Sequence, residues 1–299
     1  MWEWREINVG IKCSLTILLS VGILAGCYPL TKAEPGTPAE QDHATGPRAE
    51  EPLHEKERPA GPSRREIRKV IQANRNQRPS QWGEDVPGVK HRLKTTEKVA
   101  ALTFDACGGP KGSGYDWALI RFLKRENIPA TLFVNSRWID ENPELFRELA
   151  KEPLFEIENH GTRHRPLSVT GRSVYGIAGT ANLEKAVEEV IANQQKIAEK
   201  TGKLPHFFRS GTAYYDEVAV KAAKKLGVEI VNYDVLGDAG ATWSRAQVKQ
   251  ALLDLQPGSI VLLHMNQPGS GTAGGVQDAV PRLRERGYRF VKLEDYELE

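Results

Sequence analysis

Cysteine is scarce in this chain: its 299 residues include only three, which are Cys13, Cys27 and Cys107. An odd and sparse set excludes a disulfide framework as the basis of the fold. An excess of one charge is also missing, because 41 basic residues face 39 acidic ones and the net charge is +2. This balance gives no electrostatic case for nucleic acid as a partner, and we expect none.

Long hydrophobic runs are missing as well. The apolar run at residues 13–24 is shorter than the roughly 20 residues that span a bilayer. It follows Lys12 and ends in LAGC, residues 24–27, which resembles a bacterial lipobox. We therefore predict a lipoprotein signal peptide over residues 1–26, lipidation of Cys27, and an exported protein anchored by lipid to the cell membrane or the outer membrane. An uncleaved short anchor with a chance cysteine is the alternative.

The segment that follows has few large apolar side chains. Residues 28–62 are rich in Pro, Glu, Ala and Gly, and such a composition does not bury enough surface to offset the entropy of ordering. A basic stretch at residues 63–78 has a weak apolar stripe that indicates a short helix. We predict a flexible, disordered tether over residues 27–96, which includes this helix, and a folded domain over residues 97–299.

Apolar strands alternate with amphipathic helices throughout the predicted domain. This alternation indicates a parallel sheet with helices outside it, and we predict a distorted (β/α) barrel of about seven parallel strands. In such a barrel the chemistry lies at the carboxyl ends of the strands. The predicted strands are 98–104, 129–134, 154–158, 206–209, 228–235, 259–264 and 288–293. The predicted helices lie near 115–126, 143–151, 182–201, 216–226, 244–254 and 276–286.

Ionisable side chains follow these strands repeatedly, and always at the same end. They are Asp105, His160, His164, Arg209, Asp234 and His264. Because the carboxyl ends of parallel strands converge on one mouth of a barrel, we expect these side chains to lie together. His160 and His164 are four residues apart, and on a helical turn their imidazoles would share a face and bind one metal. A surface loop with two unrelated histidines is the alternative.

Five short motifs follow one another in the predicted domain: LTFDA at 102–106, HGTRH at 160–164, FFR at 207–209, NYDV at 232–235 and IVLLH at 260–264. Their order and spacing resemble those of the polysaccharide deacetylase (NodB-homology) family. The resemblance covers about residues 97–299. It implies a distorted (β/α) barrel that binds a divalent metal, commonly zinc, and removes N- or O-linked acetyl groups from carbohydrates.

The resemblance also implies a role for each matching residue. Asp105 corresponds to the general base, Arg209 to the residue that orients the base, and His264 to the general acid. The acid that tunes this histidine follows the fifth strand, where Asp234 matches best and Asp238 second. Amide hydrolysis fits these parts, because attack by water needs a base and the amine leaving group needs a proton.

The metal site that the resemblance implies is incomplete. The two histidines of HGTRH correspond to metal ligands, but Ala106 stands where the family has a second Asp ligand. A catalytic zinc usually takes three protein ligands and a water, and Asp105, Cys107 and Asp116 are the candidates for the third. A two-histidine site completed by water is the remaining alternative. We predict Asp116, because the flexible loop at 108–115 would fold back and place it beside the histidines. The alternative is that Asp116 caps the following helix.

A second departure lies at residues 209–215, where RSGTAYY replaces an RxPYG-like motif. The interpretation as an active glycan deacetylase therefore has two alternatives. The chain would be either a degenerate relative that binds carbohydrate without turnover, or an amidohydrolase that acts on a small non-sugar amide. The main interpretation is a zinc-dependent deacetylase of an N-acetylated glycan, with peptidoglycan favoured because it is the polymer nearest to a lipid anchor. Trp243, Tyr214 and Tyr215 would either stack on sugar faces or pack in the core.

A glycine-rich stretch, GSGTAG at residues 269–274, superficially matches a dinucleotide-binding fingerprint. We reject that interpretation, because Pro268 and its neighbours separate the preceding strand from the first glycine and remove the required tight turn. A mobile rim at the mouth of the barrel is the use that we predict for this stretch.

Overall fold

The computed structural model describes residues 61–299. The predicted signal peptide, the lipidation of Cys27 and the tether up to residue 60 lie outside the described residues and stay predictions. Within residues 61–299, no helix combines the length and the apolar character needed to cross a membrane.

Short strands and longer helices alternate along this part of the chain. The strands are β1 (Trp82–Gly83), β2 (Val89–Lys90), β3 (Val99–Ala106), β4 (Ala130–Val134), β5 (Phe155–Asn159), β6 (Phe207–Phe208), β7 (Tyr215–Asp216), β8 (Glu229–Val231), β9 (Val235–Leu236), β10 (Ser259–His264) and β11 (Arg289–Val291). The helices are α1 (Arg64–Asn74), α2 (Trp117–Arg125), α3 (Ser136–Glu141), α4 (Pro143–Lys151), α5 (Leu183–Thr201), α6 (Glu217–Lys225), α7 (Arg245–Leu253) and α8 (Gly271–Glu285), and a 3₁₀ helix covers Leu293–Asp295.

Nine strands form one sheet in the order β2-β8-β6-β5-β4-β3-β10-β9, with β11 beside β3. Every pair in this sheet is parallel. In the described part of the chain the end strands β2 and β9 are not paired with each other, so the barrel is incompletely closed. The predicted fold class, a distorted (β/α) barrel, is confirmed. The single strand predicted at 228–235 is two strands, β8 and β9.

The central strand β3 shows why the barrel has two faces. It is buried along its whole length, as expected for a parallel strand that is covered on both sides. Leu102 and Phe104 pack in the apolar layer beneath the helices. Side chains alternate along a strand, so Thr103 and Asp105 lie on the opposite side, where both contact Arg209. The carboxyl end of β3 thereby presents an acid to the interior of the barrel.

The folded unit begins before residue 97, which corrects the predicted domain boundary. The basic helix predicted at 63–78 is α1, and it opens with a capping box. Its apolar stripe of Ile67, Val70 and Ile71 packs against the hydrophobic cluster that α5 and α6 help to form. Next along the chain, β1 belongs to a two-stranded sheet with β7, and β2 is an end strand of the nine-stranded sheet. A stripe of three apolar residues is too weak to form a core, but it is enough to seat a helix on an existing one.

Candidate active site

Asp105, His264 and Arg209 meet at the carboxyl ends of the strands, as the sequence pattern predicts. Parallel pairing of β3 and β10 places Asp105 directly beside His264. Arg209 follows β6, and its Nη1 donates to Oδ1 of Asp105 at 3.0 Å and to the hydroxyl of Thr103 at 2.8 Å. Asp105 is only 4% exposed, so its ion pair with Arg209 is shielded from water.

Arg209 has no freedom to reorient. Its side chain is fully buried, its Nε donates to the carbonyl oxygen of Val231, and its Nη2 donates to that of Asn232. The guanidinium carbon also lies 4.2 Å from the ring centroid of Phe133. A planar guanidinium held at this many points fixes the direction in which the Asp105 carboxylate points.

The two histidines lie on a loop after β5 and not on the helical turn that their spacing suggested. The backbone at His164 has a φ of 60°, in the left-handed region. This turn reverses the direction of the chain, and the ring centroids of His160 and His164 are 4.9 Å apart. Gly211 packs directly on His164: a Cβ at residue 211 would lie 2.3 Å from Cγ of His164. A side chain at 211 would therefore displace this imidazole.

A buried acid that the sequence interpretation missed holds the histidine loop. Oε1 of Glu189, on α5, accepts from the backbone N–H of Arg163 at 2.8 Å and of Arg165 at 3.3 Å. Thr162 donates its hydroxyl to the backbone carbonyl oxygen of Glu189. Burial raises the pKa of Glu189. One feature of the sequence could have identified Glu189: it is an acid on the apolar face of α5, between buried Val187 and Val190.

Cys107 completes a group of three metal-ligating side chains with His160 and His164. One ligand atom from each lies within 4.8 Å of the other two. Nδ1 of His160 donates to the carbonyl oxygen of Arg209 at 2.9 Å, which leaves the lone pair of Nε2 directed inward. That Nε2 lies 3.8 Å from Sγ of Cys107 and 3.6 Å from Oδ2 of Asp105. A buried imidazole oriented by a carbonyl is the usual arrangement of a metal-ligating histidine, so the donor set fits a divalent metal.

The ionisable groups around Cys107 also favour metal binding. Enclosure in the site would raise the pKa of its thiol, but His164 and His264 lower that pKa to about 6. Burial lowers the pKa of His160, which favours the neutral imidazole with a free lone pair.

The prediction that Asp116 supplies the third ligand is corrected by its position. Asp116 caps α2, with Oδ1 accepting from the backbone N–H of Leu119 at 3.0 Å. The glycine-rich loop before it does not fold towards the histidines. It packs on α3 and on the loop after β10, where Trp138 donates to the carbonyl oxygen of Gly114 and Asn266 to that of Gly112. Asp116 therefore has the structural role that was its alternative.

The position of Ala106 explains why the next residue reaches the histidines. Ala106 ends β3 with its methyl group buried in the apolar layer beneath the helices. Because side chains alternate along the strand, residues 105 and 107 share the side that faces the barrel mouth. The thiol at 107 thus lies beside the imidazoles, where a side chain at 106 does not.

The acid paired with His264 is Asp238, which corrects the choice of Asp234. Oδ1 of Asp238 lies 2.8 Å from Nδ1 of His264, and its Oδ2 accepts from the backbone N–H of His264 and from the hydroxyl of Thr272. Asp234 lies at the opposite end of β10, where it pairs with Arg92 and accepts from Ser259. An acid that binds the start of a strand cannot reach a histidine at its end.

The Asp238–His264 pair favours the charged imidazolium. Burial alone would lower the pKa of His264, but the carboxylate of Asp238 reverses this effect and raises the pKa well above its usual range. The same pairing lowers the pKa of Asp238 against the effect of its burial. Thr272, which binds Asp238, lies in the first turn of α8. The glycine-rich stretch at 269–274 is therefore largely helical and not the mobile rim that we predicted.

A cleft of about 570 Å³ opens beside Asp105 and His264. Residues 210–213, which depart from the family motif, form part of its wall. The hydroxyl of Thr212 is buried and finds no hydrogen-bond partner among the described residues.

The three aromatic candidates have different positions. Tyr215 is fully buried, with its hydroxyl donating to Asn232, so it is part of the core. Trp243 is partly buried against the apolar layer beneath the helices. Tyr214 packs between Trp82, whose ring is tilted by 52°, and Tyr175, whose ring is edge-on at 84°, with ring centroids 5.8 Å and 5.6 Å away. Tyr175, which the sequence interpretation missed, is 71% exposed and lines the cleft.

Comparison with known proteins shows which family and which relatives this chain resembles. The family model for polysaccharide deacetylase matches residues 92–231. A peptidoglycan-N-acetylglucosamine deacetylase from Bacillus cereus is 27% identical over 212 residues, which cover 69% of this chain and 92% of that protein. The peptidoglycan-N-acetylmuramic acid deacetylase PdaA from Bacillus subtilis is 25% identical over 210 residues, 67% of this chain and 72% of its own length.

The fold is also similar to that of solved structures. A CE4 family pseudoenzyme from Bacillus anthracis matches with a TM-score of 0.59 at 20% identity, over 71% of this chain and 69% of its own. Identity at this level concerns the fold alone. The range matched by the family model contains Asp105, both histidines and Arg209, whereas Asp238 and His264 lie beyond it.

Proposed function

We propose that this chain, whose residues 92–231 match the polysaccharide deacetylase family model, is a metal-dependent hydrolase that removes acetyl groups from an N-acetylated glycan. The observation that carries the proposal is that the Cys107–His160–His164 group lies against Asp105, which lines one cleft together with His264. The two curated relatives act, by their names, on peptidoglycan, and this supports peptidoglycan as the substrate.

The residues that would hold the metal are Cys107, His160 and His164. We propose zinc, because a thiolate with two imidazoles is a donor set that suits zinc better than the harder divalent cations. When bound, such a metal supplies Lewis acidity to the amide carbonyl and to water.

In this proposal Asp105 is the general base that takes the proton of the attacking water. Arg209 holds the carboxylate in one orientation through a bond of 3.0 Å and is itself immobile. A base that is already oriented needs no reorganisation when the proton moves, which is the advantage of a preorganised site. Arg209 acts through Asp105 and is a positioning residue.

His264 is the general acid that protonates the departing amine. Its Nδ1 is held by Asp238 at 2.8 Å, so its Nε2 is the ring nitrogen available to a substrate. A carboxylate at Nδ1 fixes the orientation of the ring and stabilises its charged form, which is the form that donates.

We predict that Asp238→Asn lowers kcat about a hundredfold or more, because the amide no longer stabilises the imidazolium of His264. KM should change little, since Asp238 is buried and does not line the cleft. The matched control is Asp234→Asn, on the other side of the short strand β9: it loses contacts to Arg92 and Ser259, so thermal stability should fall while kcat stays near that of wild type. Equal losses of kcat in the two variants would contradict the assignment of Asp238.

The experiment that tests the proposed function is acetate release by the full chain. Peptidoglycan and N-acetylglucosamine oligomers are the substrates, and each is assayed with zinc and after removal of metal by a chelator. We expect release that depends on metal and is faster with peptidoglycan. Glycan binding without acetate release, in protein shown to contain metal, would instead establish the second candidate, a carbohydrate-binding relative without turnover. The substitution at Ala106, where the family motif has an Asp ligand, favours that alternative.

We also propose that the protein is exported and held to an envelope membrane by lipid on Cys27, as the LAGC sequence at 24–27 predicts. The Cys27→Ser variant should then leave the detergent phase and remain folded, because Cys27 precedes the folded unit at residues 61–299. Detergent partitioning of both proteins measures this. A variant that still partitions like the wild type would exclude the lipid anchor.

A further inference from the structure

One residue in the wall of the cleft, Glu84, comes from a segment that precedes the range matched by the family model. Glu84 follows β1, which pairs antiparallel with β7. Its backbone carbonyl accepts from Nδ2 of Asn232 at 2.8 Å, so the segment is attached to the loop after β8. The side chain of Glu84 lines the same cleft as Asp105 and His264.

Two tyrosines from distant parts of the chain converge on the Glu84 carboxylate. The hydroxyl of Tyr233 donates to Oε2 at 3.0 Å, and that of Tyr175 lies 3.5 Å from Oε1, at the long limit of a hydrogen bond. A phenol has only one hydrogen to donate. The hydrogen of Tyr233 is directed at Glu84, and that of Tyr175 is taken by Glu84 or by the neighbouring Tyr214, so both phenol oxygens face a ligand with their lone pairs.

The phenols keep their protons in this position. The pKa of Tyr175 is raised to about 12, first by Tyr214 and further by Glu84. The pKa of Tyr233 is also raised, first by burial and then by Glu84. Glu84, Tyr175 and Tyr233 therefore form a group that accepts hydrogen bonds and has no hydrogen left to donate; we refer to it as the acceptor triad.

The acceptor triad also carries an uncompensated charge. Within residues 61–299, no Lys, Arg or His side chain forms an ion pair with Glu84. Glu84 is half-buried at the wall of the cleft. A partly desolvated carboxylate of this kind gains most from a cationic ligand, because charge-assisted hydrogen bonds are about twice as strong as neutral ones.

The chemistry of the triad selects one kind of group. A primary ammonium carries three hydrogens and no acceptor, which matches one carboxylate and two phenol oxygens. A sugar hydroxyl or the N–H of an N-acetyl group can also donate to Glu84, but neither brings a positive charge to the carboxylate, and the acetyl carbonyl oxygen finds no donor in the triad.

We infer that Glu84, Tyr175 and Tyr233 form a subsite that binds the primary ammonium of an amino sugar, in a glycan chain whose neighbouring residue is presented to Asp105 and His264. The inference rests on the proposed function and deepens it, because an amino sugar is what de-N-acetylation produces. The preferred substrate is then a partly deacetylated chain, and the class of reaction that prepares it is an earlier N-deacetylation of the same polymer.

Calorimetric titration of the full chain, with metal removed to prevent turnover, tests this subsite. The probes are a glucosamine tetramer and an N-acetylglucosamine tetramer at a pH where the free amine is charged. The variants are Glu84→Gln, which keeps the size and loses the charge, and Tyr175→Phe, which changes an exposed residue and leaves the fold intact. Glu199→Gln, an exposed acid on α5 outside the cleft, is the matched control.

We expect Glu84→Gln to weaken binding of the glucosamine tetramer by at least about tenfold, because a hydrogen bond to a charged group contributes about that much. Tyr175→Phe should weaken it less, and neither variant should alter binding of the acetylated tetramer. No binding of the glucosamine tetramer by the wild type, or equal losses with both tetramers, would overturn the subsite. A lysine-containing oligopeptide is the third probe, and tighter binding of the peptide would overturn the assignment to a sugar amine.

Failure of this inference and failure of the proposed function give different results. A wild-type protein that releases acetate but shows no dependence on Glu84 retains the function and loses the subsite. A protein that binds the glucosamine tetramer through Glu84 and never releases acetate retains the subsite as that of a binding relative.

Discussion

The Asp105→Asn variant is expected to release acetate about 10²–10⁴-fold more slowly than the wild type, the range that a general base contributes. Asparagine has the same shape and still accepts a hydrogen bond from Arg209, but it cannot take a proton from water. Asp105 is the carboxylate beside the histidine group, 3.6 Å from Nε2 of His160. A loss of this size with unchanged zinc content would identify Asp105 as base and not as ligand.

The loss must be separated from damage to the buried ion pair. Removing the charge of Asp105 leaves the Arg209 guanidinium buried without its counter-ion, which is costly for folding. Thr103→Val is the matched control, because it removes the other side-chain acceptor of the same Nη1 and leaves the base in place. We expect it to lower thermal stability while retaining most of the activity. If Asp105→Asn loses its zinc, or keeps the wild-type rate, the role as general base is excluded.

The sequence predicts the convergence of the site well, because it depends on strand ends alone. Asp105 and His264 each end an apolar strand, and parallel pairing of β3 and β10 then places them side by side. Arg209 follows from the same rule, since it comes directly after β6. No knowledge of loops is needed for these three residues.

Loop conformation explains why Asp234 was wrongly predicted as the partner of His264. Asp234 and Asp238 both follow β8 within a few residues, and which of them reaches His264 depends on where the chain turns. The two-residue strand β9 carries the chain along β10 between them, so that Asp234 lies at the start of β10 and Asp238 at its end. So short a strand has no pattern that marks it in the sequence.

The contribution of the N-terminal segment was the least predictable part of the site. Glu84 reaches the cleft because β1 pairs with β7, and a two-residue strand with tertiary partners has no local signal. The position of Cys107 beside the histidines, in contrast, could have been predicted from the sequence. Alternation along β3 places residues 105 and 107 on one side, whereas the flexibility of the loop at 108–115 made Asp116 look equally accessible.

The Cys107→Ser variant is expected to lose zinc affinity by at least about a hundredfold, since removing a ligand should cost at least as much as removing an outer partner of one. A serine hydroxyl is not ionised at neutral pH and is a much weaker ligand than a thiolate. Substitution with cobalt gives a readout independent of activity, because a thiolate ligand produces an intense near-ultraviolet charge-transfer band. We expect this band in the wild type and its absence in Cys107→Ser, with His160→Ala as the control that also loses the metal.

Two further variants decide between the alternatives for the third ligand. Cys107→Asp should keep the metal, because a carboxylate at the same position can bind it, and should lose the charge-transfer band. Asp116→Asn should keep both the metal and the band, because asparagine is also a good helix cap and the carboxylate of Asp116 is directed at α2. Loss of metal in Asp116→Asn with full retention in Cys107→Ser would restore Asp116 as the ligand and exclude the thiolate site.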